Sequence, residues 1–387
     1  MAHVLSPYLS RHTVCGGEVN DILILGDGNF SFSQSLCSLL RRQHQDTPPP
    51  NVVTTTLDSE EWFSALYGGG GADTLAALSA FDFCTVLHGV DATRLADAPP
   101  PPLRARRFDR VIYNFPHVNG KQNARRNRAL LCDTLASVAR AALRARGEAC
   151  VALVTGQGGT SAEARTLDGY TQSWQAATQA AEAGLTLAAV ELFSVADFPG
   201  YALACHRPHG GAFSPGAAPL LHTFVHGGAA AGGVATRDAP AYQHELHLVG
   251  APPEDPDAVA RAVRSVAGAG NVLAVRLVHT YAPPQQPLFP QHDSGGQAGS
   301  GGGGGSARSG GGSSSGGCSG GAAIANCAYE ITYASRTAAL SRGAADELRA
   351  AVEAQVPALL GGRALRPGKS GRGVSRAVPA HLLGFHG

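Results

Sequence analysis

The stretch Ile22–Ser33 reads ILILGDGNFSFS. Four apolar residues, Ile22 to Leu25, predict a short strand buried on both faces. The strand must stop at Gly26-Asp27-Gly28-Asn29, and the residues from Phe30 onward can open a helix with Asn29 or Ser31 as its N-cap. Strand, glycine turn and helix N-terminus together make a nucleotide-binding crevice. Gly26 and Gly28 allow close backbone approach, and the first free N–H groups of the helix face the ligand. A lone G-x-G turn is also an ordinary connection between strand and helix, so the rest of the chain has to decide between the two.

Working outward, Phe32–Gln43 carries Leu36, Leu39 and Leu40 at helical spacing, and Pro48-Pro49-Pro50 then breaks the chain. Val52–Leu57 is a second buried strand ending at Asp58. An acid at that place can accept both ribose hydroxyls of a cofactor, and it also fits as the N-cap of a helix over Ser59–Tyr67. Gly68–Gly71 reads as a flexible insert. Phe83–Val90 is a third strand ending at Asp91-Ala92-Thr93, where Asp91 can reach an adenine amine or simply cap a turn. Arg107–Phe115 carries the fourth strand, which terminates in Asn114-Phe115-Pro116-His117. At the carboxyl end of a central strand, where open α/β sheets bind ligands, an amide that accepts and donates, a stacking ring and a fixed turn suit a planar nitrogen base. His117 and Lys121 add a proton acceptor and a positive charge.

A basic helix with Lys121, Arg125, Arg126 and Arg128 follows. Next come a fifth strand, Ala149–Val154, and a second glycine-rich loop, Gly156-Gln157-Gly158-Gly159-Thr160. A helix around Trp174 and strands over Leu185–Val195 and Leu220–Val225 complete an α/β unit with a doubly wound, mostly parallel sheet. Beyond the small-residue linker 227–236 the order changes. Strands over Tyr242–Val249, Val272–Tyr281, Ala328–Tyr333 and Ala364–Arg366, with helices over Asp255–Ala267 and Ala344–Val356, give the βαββαβ order of an α+β ferredoxin-like fold, the split βαβ. Its middle hairpin must span the Gly/Ser-rich insert 285–322, which cannot bury enough apolar surface to fold. A tenfold longer loop costs only about 2 kcal/mol in closure entropy, so the hairpin survives. The expected divisions are an N-terminal extension 1–20, the domain 21–226, the linker, the domain 237–366 and a basic disordered tail 367–387.

The 387 residues carry a net charge of +1, but the distribution is uneven: Arg94–Arg146 holds 12 Lys/Arg against three Asp/Glu. No acid follows Glu353, while Arg363, Arg366, Lys369, Arg372 and Arg376 do. Such excesses suit a polyanion such as RNA, and equally suit solvated faces. Eight cysteines without a CxxC pair fit reduced, packed thiols in an intracellular protein and offer neither a disulfide framework nor a metal site. No apolar run approaches the ~18 residues of a membrane span. The first twenty residues lack a signal core, and their one strong base, Arg11, leaves a mitochondrial presequence compatible but weakly supported.

With these residues in view, 21–226 resembles the 25S rRNA (uridine-N3)-methyltransferase family. The segments that carry the resemblance are ILILGDGNFSFSQSL, LDSEE, VLHGVDAT, FDRVIYNFPHVNGK, NRALL and GQGGT with Ser173-Trp174. Residues 237–366 resemble the ferredoxin-fold anticodon-binding domain found at the end of phenylalanyl-tRNA synthetases, through Arg237-Asp238 with HELHLV, VLAVRLVHTYAP, AYEITYASRTAALS and ALR. The resemblance implies a Rossmann-like class I domain that uses S-adenosyl-L-methionine to methylate RNA, either rRNA or tRNA, with no metal and no membrane involved. Gly26, Asp27, Gly28, Asn29, Phe30 and Ser31 would hold the methionine end, Asp58 the ribose, and Asp91 with Ala92 the adenine. Asn114, Phe115, Pro116, His117 and Lys121 would act on the target base, while Arg125, Arg126, Arg128, Gln157, Lys369 and Arg372 would contact RNA. The expected location is cytoplasm or nucleolus, with the mitochondrion compatible. Uridine N3 is a poor nucleophile until its proton leaves, so the site needs a base or a positive environment there. The alternative is a non-catalytic RNA- or tRNA-binding protein on a degenerate methyltransferase fold. A nicotinamide dehydrogenase fits poorly, because Phe32-Ser33 stands where its third glycine belongs, and no ATP-binding core supports a synthetase.

Overall fold

The computed structural model describes residues 6–118, 123–204, 213–227, 238–249, 255, 257–281, 326–335, 338–360, 374–375 and 377–384. Strand β1 (Asp21–Leu25) lies inside a seven-stranded sheet, third in its order. Its neighbours are β2 (Asn51–Thr55) and β4 (Phe108–Asn114), both parallel to it. Outside them lie β3 (Cys84–Leu87) and β5 (Leu143–Leu153). The far edge is β7 (Leu220–His226) followed by β6 (Leu185–Leu192), giving the order β3-β2-β1-β4-β5-β7-β6. Strand β7 runs antiparallel to both of its neighbours.

The apolar run of β1 shows why the sheet is covered on both faces. Leu23 and Leu25 pack into one core with Val111, Leu131, Leu135 and Phe224, whereas Ile22 and Ile24 pack into another with Leu36, Val52 and Ile112. Helix α3 (Ala124–Ala141) covers the first face with Leu131, Leu135 and Val138, and α1 (Ser31–Gln43) covers the second with Phe32, Leu36 and Leu40. Side chains two apart share a face of a strand, so the alternation of one run feeds two cores.

Several boundaries differ from expectation. Gly68–Gly71 is not a loop: α2 (Glu60–Ser79) continues through it, kinked at Gly68, where φ 51° and ψ −137° are non-helical. At Gly71 a Cβ would lie 2.7 Å from the Tyr67 Cβ, so the small residue there lets the kinked turns pack. The N-terminal extension is also part of the first domain. Tyr8, Leu9 and Val19 are buried in its core, and Arg110 of β4 binds the main chain of this segment.

In the second domain, β8 (Pro240–Val249), β9 (Val272–Tyr281), β10 (Asn326–Tyr333) and β11 (Val378–Pro379) form an antiparallel sheet of order β11-β8-β10-β9. The helices α4 (Ala258–Ala267) and α5 (Arg342–Leu359) complete the βαββαβ order. The expected hairpin is present as the β9–β10 pair, while the insert 285–322 lies outside the described residues. The expected last strand at 364–366 also lies outside them; the fourth strand of the described sheet is β11. Residues 374–375 and 377–384, assigned from sequence to a disordered tail, therefore belong to this domain: Val374, Ala377 and Ala380 are buried. Their apolar side chains are few and spaced by Pro and Arg, so no periodicity announces them.

The two domains are bonded to each other. Glu182 of the first accepts from the main-chain N–H of Arg342 at 2.8 Å and from the Tyr242 hydroxyl at 3.4 Å. Asp238 accepts from the N–H and hydroxyl of Ser161 at 2.6 and 3.0 Å, and His381 lies 3.3 Å from Asp238.

Candidate active site

The carboxyl ends of β1, β2 and β4 open into one cavity of about 520 Å³. Gly26, Asp27, Gly28, Asn29, Asp58, Asn114, Phe115, Pro116 and His117 all line it. Residues from three separate strand ends thus meet where the sheet topology places ligands, and the volume is that of a small-molecule site.

The glycine turn is built around protein contacts. Gly26 has φ 62°, and a Cβ there would come 2.9 Å from Tyr113 Cε2. At Gly28 a Cβ would lie 3.1 Å from the Tyr67 hydroxyl and 3.4 Å from the Ala204 Cβ. The helix N–H groups expected to face a ligand are capped from within. Asp27 Oδ2 accepts from the main-chain N–H of Ser33 at 2.8 Å and from the Ser33 hydroxyl at 2.5 Å. Asn29 and Ser31 hold a roof: the Asn29 amide donates to the Ala202 carbonyl at 2.9 Å, and Ser31 Oγ donates to it and accepts from the Ala202 N–H, each at 3.0 Å. Phe30, in the left-handed region at φ 57°, buries its ring against Phe63 and His88 and does not line the cavity.

Asp58 is not the helix cap, because Ser59 takes that role by accepting from Trp62 N. Its carboxylate makes no hydrogen bond among the described residues and is held above its ordinary range by burial, with His88 pulling the other way. Asp91 does cap a turn. Its Oδ1 accepts from Thr93 N at 2.9 Å and Thr93 Oγ1 at 2.7 Å, which closes the short turn Ala92–Arg94. Asp91 and Ala92 lie outside the cavity lining, and the turn they form is closed without a ligand.

Burial pushes Asp27 from 3.8 up to about 6, against hydrogen bonds from Ser33, Phe32 and Phe30 that lower it. The unfolded chain therefore releases this proton at lower pH than the folded one. Stability from this group is complete below about pH 4 and is lost as pH rises through about 6. Subtracting the pH–stability curve of Asp27→Asn from that of the native chain should leave a downward slope across that window, read by denaturant unfolding. A flat difference would mean an ordinary carboxylate.

Sequence reasoning missed Trp62, Leu66 and Tyr67 on one wall and Tyr201, Leu203, Ala204 and Phe213 on another. Trp62, 56% exposed and one of two tryptophans, carried a signal in its position one helical turn past Asp58. The roof segment is irregular and offered none.

The expected RNA contacts divide. Arg125 and Arg126 are exposed at the start of α3. Arg128 instead donates to the main-chain carbonyls of Thr171 and Ser173, clamping that turn. Gln157 accepts from Val154 N within its own loop. The Arg94–Arg146 excess is likewise partly internal: Arg106 and Arg144 pair with Asp21, Arg144 with Asp109, and Arg110 with Glu148. Lys121, Lys369 and Arg372 lie outside the described residues. Among the described residues no group could hold a metal ion, no helix is long and apolar enough to cross a membrane, and Cys15, Cys37, Cys84, Cys132, Cys150 and Cys327 are free thiols.

Sheet order, the single reversed strand and the cavity over three strand ends define the first domain as a class I methyltransferase fold. Residues 23–205 match the family described as BMT5-like, rRNA (uridine-N3-)-methyltransferase BTM5-like. The chain is 33% identical over 204 residues to the human ferredoxin-fold anticodon-binding domain-containing protein 1, which covers 53% of this chain and 30% of that protein. To its mouse homolog it is 35% identical over 186 residues, 48% of this chain and 28% of that one. The chain thus spans less than a third of the length of these curated relatives. A solved 16S rRNA (adenine(1408)-N(1))-methyltransferase from Catenulisporales acidiphilia is 16% identical, with a TM-score of 0.33 over 54% of this chain and 88% of that one.

Proposed function

We propose that the first domain binds S-adenosyl-L-methionine in this cavity and methylates N3 of a uridine in RNA, with rRNA the substrate class the family match favours. The observation that carries it is the convergence of the glycine turn, Asp58 and Asn114-Phe115-Pro116-His117 on one cavity. The residues fit the cofactor. Asp27 and Asp58 bring two desolvated carboxylates to the lining, and a cationic ligand lowers the cost of burying them. When bound, S-adenosyl-L-methionine supplies the electrophilic methyl group.

The protein's part is alignment and charge. Phe115, held at φ 50° and packed against Phe193 and Phe213, gives the base a rigid aromatic wall. Asn114 faces the base edge, and His117 with Lys121 are the candidates to take or stabilise the N3 proton. Arg125 and Arg126 guide the phosphate backbone. The second domain, ferredoxin-like in strand order, delivers the RNA, with tRNA as the competing substrate. The basic segment holding Lys369 and Arg372 assists, and the workplace follows the substrate: nucleolus for rRNA, cytoplasm for tRNA.

Calorimetric titration with S-adenosyl-L-methionine, with NADH as control, tests the cofactor. Micromolar binding is expected, and Asp58→Ala should weaken it roughly tenfold, the worth of a charge-assisted hydrogen bond. Absence of binding by folded protein would favour the non-catalytic RNA-binding alternative. Unchanged affinity in the variant would remove Asp58 from the site.

A further inference from the structure

Asn114 has two polar ends with different fates. Its Oδ1 accepts from the Tyr8 hydroxyl at 2.7 Å, while its Nδ2 is enclosed and has no hydrogen-bond partner among the described residues. Tyr8 is fully buried, its ring set among Phe32, Phe193 and Phe198 at centroid distances of 5.7 to 5.9 Å. Burial, ahead of neighbouring Cys150, pushes its phenol well up, so the hydroxyl keeps its proton. Its main chain is equally fixed. Arg110 Nη1 donates to the Tyr8 carbonyl at 2.7 Å and to that of Ser10 at 3.1 Å, and Arg110 Nε is held by Glu148 at 2.6 Å. Flipping the Asn114 amide would leave the phenolic proton without an acceptor among the described residues. An unsatisfied enclosed donor is costly, and the cavity lined by Asn114 is where a partner can arrive.

We propose that Tyr8 is a positioning residue that fixes Asn114 as a hydrogen-bond donor, and that a carbonyl oxygen beside the reactive nitrogen of the target base accepts from it. The proposal rests on the methyltransferase reading above. Uracil N3 lies between two carbonyl groups, and when its proton leaves for a nearby base or solvent, the negative charge spreads onto both oxygens. A preorganised donor at one of them stabilises that anion. The opposite role, accepting the N3 proton's hydrogen bond through Oδ1, would add a second bond to the oxygen that already accepts from Tyr8 and leave the enclosed Nδ2 unpartnered. The residues before β1 thereby reach the chemistry: Tyr8 is held at its main chain by Arg110 and in turn sets Asn114, four residues further along the same strand.

The test uses the full chain and its Tyr8→Phe variant, which keeps the ring. In ¹⁵N NMR, the side-chain amide pair of Asn114, assigned by its loss in Asn114→Ala, should shift in Tyr8→Phe. With S-adenosyl-L-methionine and in-vitro-transcribed large-subunit rRNA or tRNA, kcat should fall about tenfold while KM for the cofactor stays within about twofold. The rising limb of the pH–rate profile should move to higher pH, since the bound base keeps its proton longer without the donor. A purely structural role would lower the active fraction and leave that limb in place. An unmoved amide pair or an unmoved limb overturns the proposal. If the native chain methylates neither RNA while the pair still shifts, the methylation reading fails. The role toward the base falls with it, and only the Tyr8–Asn114 contact stands.

Discussion

Asn114→Ala is expected to lower methyl transfer by roughly 10²–10³-fold, the cost of removing one preorganised donor from a developing anion, with cofactor affinity unchanged within about threefold. The reason is positional. Asn114 ends β4 and Asp58 follows β2, both residues line the cavity, and β1 between the two strands pairs with each of them. Loss of the amide therefore changes the base edge and leaves the acid that would hold the ribose. Single-turnover rates with radiolabelled cofactor, beside calorimetric affinity, separate the two effects. An alanine variant that retains native turnover would exclude Asn114 from the chemistry, while one that loses cofactor binding in proportion would make it a structural residue.

Arg110→Met is expected to be the most destabilising single change in the first domain. Arg110 is 1% exposed and Glu148 3%, with 2.6 Å between Nε and Oε1. Glu148 also accepts from Val14 N at 2.7 Å, and Arg110 donates to the carbonyls of Tyr8, Ser10 and His12. Removing one partner leaves a buried charge uncompensated, at about 3–5 kcal/mol, and frees three carbonyls besides. For a domain of this size that amounts to a fall in Tm of about 10 °C or more. Scanning calorimetry measures it, and the double variant Arg110→Met with Glu148→Met should recover much of the loss, since no charge is left behind. A single-variant cost below about 1 kcal/mol would show the pair to be solvated in solution.

These two residues also mark how far the sequence could be read. Ile22–Leu25 and Asn51–Thr55 are runs whose apolar and β-branched character is set locally, so their strand state and burial were legible. The same holds for the placing of Asp58 and Asn114 at strand ends, because parallel order follows from alternating strand and helix. Arg110 was not legible. It stands inside FDRVIYNF, where an arginine reads as solvated, and its partners come from 98 to 102 residues earlier and 38 later. Asp91, Asn29, Ser31 and Arg128 share that fate. Each has the residue type a ligand site requires, and each is satisfied by the protein itself, through a turn, a roof or a clamp.

What the sequence alone determined, then, is the element order, the two-domain plan and the strand ends at which a cofactor and a base would meet, since hydrophobic period and turn residues act over a few neighbours. Only the tertiary structure decided which polar groups remain available there. Whether Asn114 accepts or donates depends on one hydroxyl 106 residues away, and a buried polar group's role is set by whichever partner the packing brings within about 3 Å.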